Sequence, residues 1–251
     1  IEGALARDKA TGQTAQRNLR FQWNNPAQAF ALSEESVKDA TVADLSCNVD
    51  GDTSSLENLK NNPGSSGISL VELITAINRA GAGSGRVFIG FEREGSITCS
   101  NDIPEINAPI SINGDINGDG IPDIDIQGGN RDRTFKVRSS DVTIQQFSFR
   151  GVSVFFRAVG IYDHDGLGIS NVAVLNNKMT NVYRGFSVDP YDRLTLSNLL
   201  ISNNFISNED DNDNVIEIET SLDDQDRYKN LVVVNNRIEN ADIAIDLDEN
   251  D

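Results

Sequence analysis

Short apolar runs separated by turn residues dominate the chain from residue 86 onward. Apolar and polar positions alternate within most runs, and Gly, Asn or Asp bounds each of them. No segment with helical periodicity lies between successive runs, so the pattern predicts stacked β-strands rather than alternating strands and helices. The clearest early runs are Val87-Phe-Ile89, Ile110-Ser-Ile112, Ile124-Asp-Ile126 and Phe135-Lys-Val137.

The second half of the chain repeats one short pattern. The segment Asn171-Val-Ala-Val-Leu-Asn-Asn-Lys-Met179 aligns with segments that begin at Asn198 and Asn230, and a degenerate copy begins at Asp141. These starts are 30, 27 and 32 residues apart (171 − 141, 198 − 171, 230 − 198). Repeats of this length bury their apolar residues by stacking on one another. The pattern therefore predicts an all-β solenoid, a right-handed parallel β-helix, over residues 86–251.

Each full copy contains an Asn-Asn pair where the chain must turn. Asn tolerates left-handed backbone, and equivalent carboxamides can bond to one another in coils stacked about 4.8 Å apart. Asn177, Asn204 and Asn236 are the predicted ladder, with turn residues of no further role as the alternative. A second strand in each coil is traced through Gly160-Ile161-Tyr162, Gly185-Phe186-Ser187, Val215-Ile216-Glu217 and Ile243-Ala244-Ile245.

A single amphipathic helix is predicted over residues 69–80. Ser69 and Glu72 form a capping box, the apolar residues fall on one face, and Gly81 supplies the stop. We assign 67–85 to a helix that caps the end of the β-helix, where it would cover open core and strand edges. Residues 1–66 show no sustained period and are predicted to be an irregular extension, with one short helix near residues 26–44.

The charge of the chain limits its partners. The 251 residues carry 39 acidic and 21 basic side chains, a formal charge of −18. Nucleic acid is therefore not expected as a partner, and anionic polysaccharide is repelled unless bound cations change the local field. Hydrophobic residues make up 38% of the chain, too many for a disordered acidic protein. No apolar run approaches the roughly 20 residues of a membrane span.

Two cysteines, Cys47 and Cys99, are present. They permit one disulfide, and two unrelated buried thiols are the alternative.

The region from about residue 42 to 151 resembles a family of bacterial and archaeal surface-protein β-helices with the N-terminal signature Cys-Ser-Leu-Arg-Glu-Ala-Ile. Ser69-Leu-Val-Glu-Leu-Ile matches its Ser-Leu and Glu, while Ile68 and Val71 replace its Cys and Arg. The runs that follow, with the repeats to Ile245, extend the likeness to about 200 residues. The resemblance implies a secreted or cell-surface module, a class often found within longer chains and frequently of unknown ligand. Polysaccharides or other cell-surface proteins are the partners we expect. The resemblance also implies that Cys47 matches the family's upstream Cys, which makes Cys99 the candidate partner.

The segment Asp115-Ile-Asn-Gly-Asp-Gly-Ile-Pro-Asp123 carries oxygen side chains at positions 1, 3, 5 and 9 and Gly at position 6. This is the first part of an EF-hand-type calcium loop, and it resembles the loops of dockerins and thrombospondin type 3 repeats. We predict a Ca²⁺ site, with a plain Asx-rich turn as the alternative. Its ligands would be Asp115, Asn117, Asp119, the Ile121 carbonyl and Asp123.

Weaker acidic segments follow elsewhere. Alternating oxygen side chains over residues 48–54 are interpreted as a solvated turn rather than a second calcium loop. The acidic run over residues 246–251 is typical of a charged loop. Residues 248–251 are equally typical of the start of a linker, which leaves open that the chain is part of a longer one.

Two neighbouring coils carry the candidates for catalysis. Val188-Asp-Pro-Tyr-Asp192 resembles the Asp-Pro-His motif of mannuronan C5-epimerases, which are also β-helices, with Tyr191 in the place of the acid/base His. The weak candidate residues are His164, Asp165, Asp189, Tyr191 and Asp192. An acidic surface produces such groups by coincidence, and a Tyr with a pKa near 10 is a poor base at neutral pH.

The favoured hypothesis is a non-enzymatic, secreted or cell-surface β-helix that is structural, adhesive or carbohydrate-binding and is stabilised by calcium and a disulfide. The alternative is a polysaccharide-active enzyme, an epimerase, lyase or glycoside hydrolase, that uses carboxylates on one face. An enzyme would need the row Asp165, Asp189, Asp192 and Glu219 to line a groove.

Overall fold

The computed structural model describes most of the chain from residue 38 onward. The described residues are 5–7, 14–16, 38–81, 85–99, 103–127, 133–151, 157–163, 168–190, 195–207, 214–220, 227–240 and 243–249.

The chain forms a β-solenoid built from three parallel sheets. The first sheet has seven strands, the second has six and the third has five, and in each sheet the spatial order of the strands follows their order along the chain. The first-sheet strands are β3 (Lys38–Val42), β4 (Val87–Phe91), β6 (Ile110–Asn113), β9 (Val142–Gln145), β12 (Ile169–Leu175), β15 (Thr195–Ser202) and β18 (Arg227–Val234).

The second and third sheets complete each coil. The second contains β5 (Gly95–Ile97), β7 (Ile124–Gln127), β10 (Phe147–Arg150), β13 (Lys178–Thr180), β16 (Phe205–Ser207) and β19 (Arg237–Glu239). The third contains β8 (Arg133–Val137), β11 (Arg157–Asp163), β14 (Arg184–Pro190), β17 (Asn214–Thr220) and β20 (Ile243–Glu249). From β6 to β20 the chain passes through the three sheets in the same order in every coil. The predicted parallel solenoid is confirmed, and each coil has three strands instead of the two traced in the sequence.

The remaining elements lie in the N-terminal part. Strands β1 (Leu5–Arg7) and β2 (Thr14–Gln16) form an antiparallel pair. Helix α1 (Leu56–Asn61) precedes helix α2 (Leu70–Ala80). Neither helix is long and apolar enough to cross a membrane, and no other described residue forms one that is.

Helix α2 confirms the predicted capping box. The Glu72 amide donates to Ser69 Oγ at 3.3 Å, and the Ser69 amide donates to Glu72 Oε2 at 2.9 Å. Gly81 ends the helix with a φ of 73°, which favours glycine. The buried face includes Leu70, Leu73 and other apolar residues of the same continuous core as the strands.

The prediction of an irregular region over residues 1–66 is wrong for its described C-terminal part. Residues 38–42, inside the segment expected to contain a helix, form strand β3 and pair in parallel with β4. The cause is a period of two: Ala40 and Val42 are buried, while Asp39 and Thr41 are exposed. Residues 26–37 of the expected helix lie outside the described residues.

The interior is a column of apolar side chains. Phe91 of β4, Phe135 of β8 and Phe147 and Phe149 of β10 lie in this interior, and their neighbouring ring centroids are 5.8 to 6.0 Å apart. Rings at this separation attract one another beyond their area burial.

The predicted asparagine ladder is confirmed. Asn177 Nδ2 donates to Asn204 Oδ1 at 3.1 Å, and Asn204 Nδ2 donates to Asn236 Oδ1 at 2.9 Å. The turn residue just before each of these asparagines has a positive φ of 55 to 57°. The ladder thus stacks identical turns in register.

The two cysteines form the predicted disulfide. Cys47 follows β3, Cys99 follows β5, and their Cα atoms are 5.3 Å apart. The bond links the segment before the helices to the second sheet.

Candidate functional site

The loop over residues 115–123 connects β6 to β7 and folds around its own carboxylates. Asp115 Oδ1 accepts the Gly118 amide at 2.7 Å, and Oδ2 accepts the Gly120 amide at 2.9 Å. Both glycines have positive φ, 77° and 85°, so the sharp turn depends on them. Asn117 Oδ1 accepts the Asp119 amide in the same manner. The oxygens of positions 1 and 3 therefore point back into the loop.

The end of the loop closes on its start. Asp123 Oδ2 accepts the Ile116 amide at 2.8 Å, and the Asp123 amide donates to the Gly114 carbonyl at 2.9 Å. Asp119 Oδ1 accepts the Ile121 amide. Positions 1, 3, 5 and 9 of the predicted calcium loop thus all bond to amides of the loop itself.

Asp115 is the buried member of the set. Burial raises its pKa, but hydrogen bonds from the Gly120 and Gly118 amides and from the Gln146 side chain outweigh this and hold the pKa below its ordinary value. The carboxylate therefore stays charged at neutral pH, as a cation ligand must.

The donor set suits calcium in kind, since every candidate ligand offers oxygen. Within the described ranges, however, no three His, Cys, Asp or Glu side chains are gathered closely enough to hold a metal ion. The twelfth position is closed to a ligand, because Ile126 lies in the core with 2% of its surface exposed. Asp125 belongs to β7 as expected, and it pairs in register with Ser96 and Ser148.

The acidic segment over residues 48–54 has a structural role that its sequence does not reveal. Asp50 Oδ2 accepts the Ser65 amide at 2.9 Å and the Ser65 hydroxyl at 2.7 Å. The buried Glu72 accepts the Asp50 and Gly51 amides at 2.8 and 2.6 Å. These carboxylates fix the loop to the start of α2. The pKa of Asp50 is lowered, first by the hydroxyl and then by the amide of Ser65.

The candidates for catalysis are only partly placed. Asp189 lies in β14, where it pairs in register with Tyr162 of β11. Glu219 of β17 pairs with Asp248 of β20. His164, Asp165, Tyr191 and Asp192 lie outside the described residues. The third sheet therefore places acidic residues at neighbouring register positions without defining a catalytic group.

An ion pair on the third sheet was missed from the sequence. Arg184 Nη1 contacts Glu217 Oε2, and only 13% and 5% of the two side-chain surfaces are exposed. The Arg184 guanidinium also lies 5.0 Å from the centre of the Tyr183 ring. The only sequence signal was the alignment of the two strands. Because the desolvation of two buried charges offsets their attraction, this pair is weak evidence for stability.

No protein-family model, curated protein or solved structure matches the chain.

Proposed function

We propose that the chain is a secreted or cell-surface β-solenoid module that acts as a structural or adhesive scaffold and binds polysaccharides or other surface proteins. The observation that carries the proposal is the Cys47–Cys99 disulfide on a repetitive solenoid. Disulfides persist in oxidising compartments and are rare in reducing ones. A stack of parallel coils offers an extended surface and a rigid spacer, which suits a scaffold.

Two finer features of the fold belong to this proposal. We assign the coils a right-handed sense, because a crossover between parallel strands of one sheet is right-handed in about 98% of cases. Helix α2 serves as the N-terminal cap. Its buried residues, Leu73 and Ile77 among them, share one core with Ala40 and Val42 of β3, the first strand of the first sheet.

Calcium completes the module through the loop at residues 115–123. Its ligands are the oxygens of Asp115, Asn117, Asp119 and Asp123 and the Ile121 carbonyl. The support is the inward turn of the side-chain oxygens and the ionised state of Asp115. A bound cation would offset part of the −18 formal charge of the chain.

The second candidate is a polysaccharide-active enzyme. Ser187 pairs with Glu217, so continuing the register brings Asp189 opposite Glu219. Carboxylates on adjacent coils are the groups that glycoside hydrolysis requires. We rank this below the scaffold, because a tyrosine with an ordinary pKa near 10 is a poor base at neutral pH and an acidic surface repels a uronate.

Product analysis after incubation with alginate, pectate and neutral glucans, each with and without calcium, separates the two candidates. The scaffold proposal expects no new oligosaccharides and no change in the uronate composition of the polymers. Turnover that is lost in both Asp189→Asn and Tyr191→Phe would establish the enzyme instead.

Surface location has its own test. A membrane-impermeant amine reagent applied to intact producing cells should label the chain, while a cytoplasmic marker protein stays unlabelled. Labelling that appears only after lysis would contradict a secreted or surface location.

A further inference from the structure

The last coil leaves the end of the core partly open. Strands β18, β19 and β20 are the outermost strands of the three sheets. Leu231 and Val233 are partly buried, while their register partners Leu199 and Ile201 in the preceding coil have 0% and 1% of their surface exposed. Likewise, Ile238 is partly buried, while its register partner Ile206 in the preceding coil is fully buried. We call Asn230, Leu231, Val233, Asn236, Ile238 and Ile245 the C-terminal edge.

We call Asn177, Asn204 and Asn236 the inner ladder, and all its hydrogen bonds are donated in the same direction along the solenoid. In each step an asparagine donates its amide N–H and its Nδ2 to Oδ1 of the asparagine one coil later. Asn177 donates to Asn204 at 2.9 and 3.1 Å, and Asn204 donates to Asn236 at 2.9 Å from both groups. At Asn236 the series stops, and no described residue accepts its amide N–H. The C-terminal edge thus presents donors at this position.

A second, outer ladder runs in the opposite direction. Asn171 Nδ2 donates to Asp141 Oδ1, Asn198 Nδ2 to Asn171 Oδ1, and Asn230 Nδ2 to Asn198 Oδ1, at 2.8 to 2.9 Å. All four residues have a φ between 55 and 61°. The ladder begins on Asp141, a carboxylate that can only accept. It stops at Asn230, whose Oδ1 receives no hydrogen bond from the described residues. At this position the C-terminal edge presents an acceptor.

The two ladders keep a fixed spacing. Asn171 precedes Asn177, Asn198 precedes Asn204, and Asn230 precedes Asn236 by six residues each. A segment that continued both ladders would need an asparagine at each of two positions six residues apart, with alternating apolar residues between them.

We propose that the C-terminal edge is a docking surface for a parallel β-coil of this same repeat type, with two asparagines six residues apart. Its first asparagine donates Nδ2 to Asn230 Oδ1, and its second accepts from Asn236 through Oδ1. Its apolar residues cover Leu231, Val233 and Ile238.

A second copy of the chain does not meet these requirements. If the C-terminal edges of two copies faced each other, their strands would be antiparallel. The Asn230 and Asn236 positions of the two copies would then not align, and the donors of one Asn236 would face donors of the other. The opposite end of the first sheet is β3, which adjoins α2 and carries neither ladder. The ladders therefore favour a parallel coil over self-association.

The test uses the full chain and a fluorescein-labelled peptide with the sequence of residues 195–220, followed by fluorescence anisotropy. The control peptide carries Asn198→Gly and Asn204→Ala. We expect saturable binding of the first peptide and affinity lower by about tenfold or more for the control, since each lost ladder bond contributes a substantial part of that factor. The protein variant Leu231→Lys places a charge on the C-terminal edge and should abolish binding. Its matched control, Val232→Lys on the same strand, should bind as the parent does.

Circular dichroism of both protein variants verifies that they are folded. Equal binding of the two peptides, or no saturable binding up to about millimolar peptide, would overturn the proposal. Concentration-dependent dimerisation of the chain that Leu231→Lys prevents would also overturn it, because the occupant would then be a second copy.

Discussion

Gln146 donates a 2.7 Å hydrogen bond from Nε2 to Oδ2 of Asp115, 31 residues earlier in the chain. Gln146 occupies the turn position that Asn176 and Asn203 occupy in later coils, and like them it has a positive φ. The loop at residues 115–123 is therefore anchored to the next coil and not only to its own strands.

The first prediction concerns calcium binding by this loop. Because calcium would bind only the folded loop, calcium at about 100 times Kd should raise the free energy of unfolding by about 2.7 kcal/mol. Chelation of the calcium should abolish this increase. Asp119→Ala removes a predicted calcium ligand, so the melting temperature of this variant should not respond to chelator. The Asp119 side chain accepts only the Ile121 amide among the described residues, so little else is lost with it.

Asp39→Ala is the matched control, because Asp39 is an exposed aspartate on β3, away from the loop. Thermal denaturation with calcium and with chelator checks the prediction. If neither the parent nor Asp119→Ala responds to calcium, the loop is only a turn.

The lowered pKa of Asp50 predicts that this residue contributes to the loss of protein stability in acid. Its pKa is lowered in the folded state by Ser65, so the folded protein binds its proton less readily than the unfolded chain does. Its contribution to stability is therefore complete above the ordinary aspartate pKa of about 3.9, and it is lost as the pH falls through the lowered value.

Asp50→Asn should reduce the loss of unfolding free energy on acidification, as measured by urea denaturation at several pH values. Asp39→Asn is the matched control, because it removes an exposed carboxylate that no described residue bonds. An unchanged slope in Asp50→Asn would contradict the role given to the Ser65 contacts.

Gly64 and Gly118 form a matched pair for a steric prediction. Both have positive φ, 80° and 77°. A Cβ on Gly64 would clash with Asp50 Oδ1, while a Cβ on Gly118 would have no atom within 4 Å. Gly118→Ala should cost about 1–2 kcal/mol from the backbone alone, and Gly64→Ala should cost more because Asp50 must also move. Chemical denaturation of the two variants measures the difference, and equal costs would refute the close contact.

Loss of the Asn204 side chain from the inner ladder should lower the free energy of unfolding substantially. Asn204→Ala removes the acceptor of the buried Asn177 amide and the donors to Val174 and Asn236, which should cost about 3 kcal/mol of unfolding free energy. Asn198→Gly in the half-exposed outer ladder keeps the left-handed backbone and should cost about 1 kcal/mol or less. Urea denaturation compares them. Similar costs would mean that burial of the inner ladder adds nothing.

The sequence predicted the elements whose signal is local. The capping box of Ser69 and Glu72, the alternating runs and the Asn-Asn turns all lie within about ten residues. In the second sheet the sequence predicted β7 through Ile124-Asp-Ile126, but a strand as short as Lys178–Thr180 shows too little alternation to stand out. Strand β3 was missed because its partner β4 begins 49 residues later (87 − 38) and nothing near Lys38 indicates the pairing.

In the candidate site, too, local features could be predicted from the sequence, while contacts between coils could not. The order of oxygen side chains from Asp115 to Asp123 is visible in the sequence, as are the glycines that turn the loop. The bond from Gln146 to Asp115 depends on the register between coils, and so does the ion pair of Arg184 and Glu217. Neither follows from local spacing, because variable loops set the number of residues in each coil.

The position of the disulfide makes the two ends of the solenoid unequal in how they open. Cys47 and Cys99 are the only cysteines, so the one covalent crosslink joins the segments that follow β3 and β5. Among the described strands, β18, β19 and β20 each pair with a strand on one side only. In a stack where each coil contacts its neighbours, opening starts where contacts are fewest. Among the described coils, the one formed by β18, β19 and β20 therefore separates first, while the segments after β3 and β5 stay joined by the crosslink.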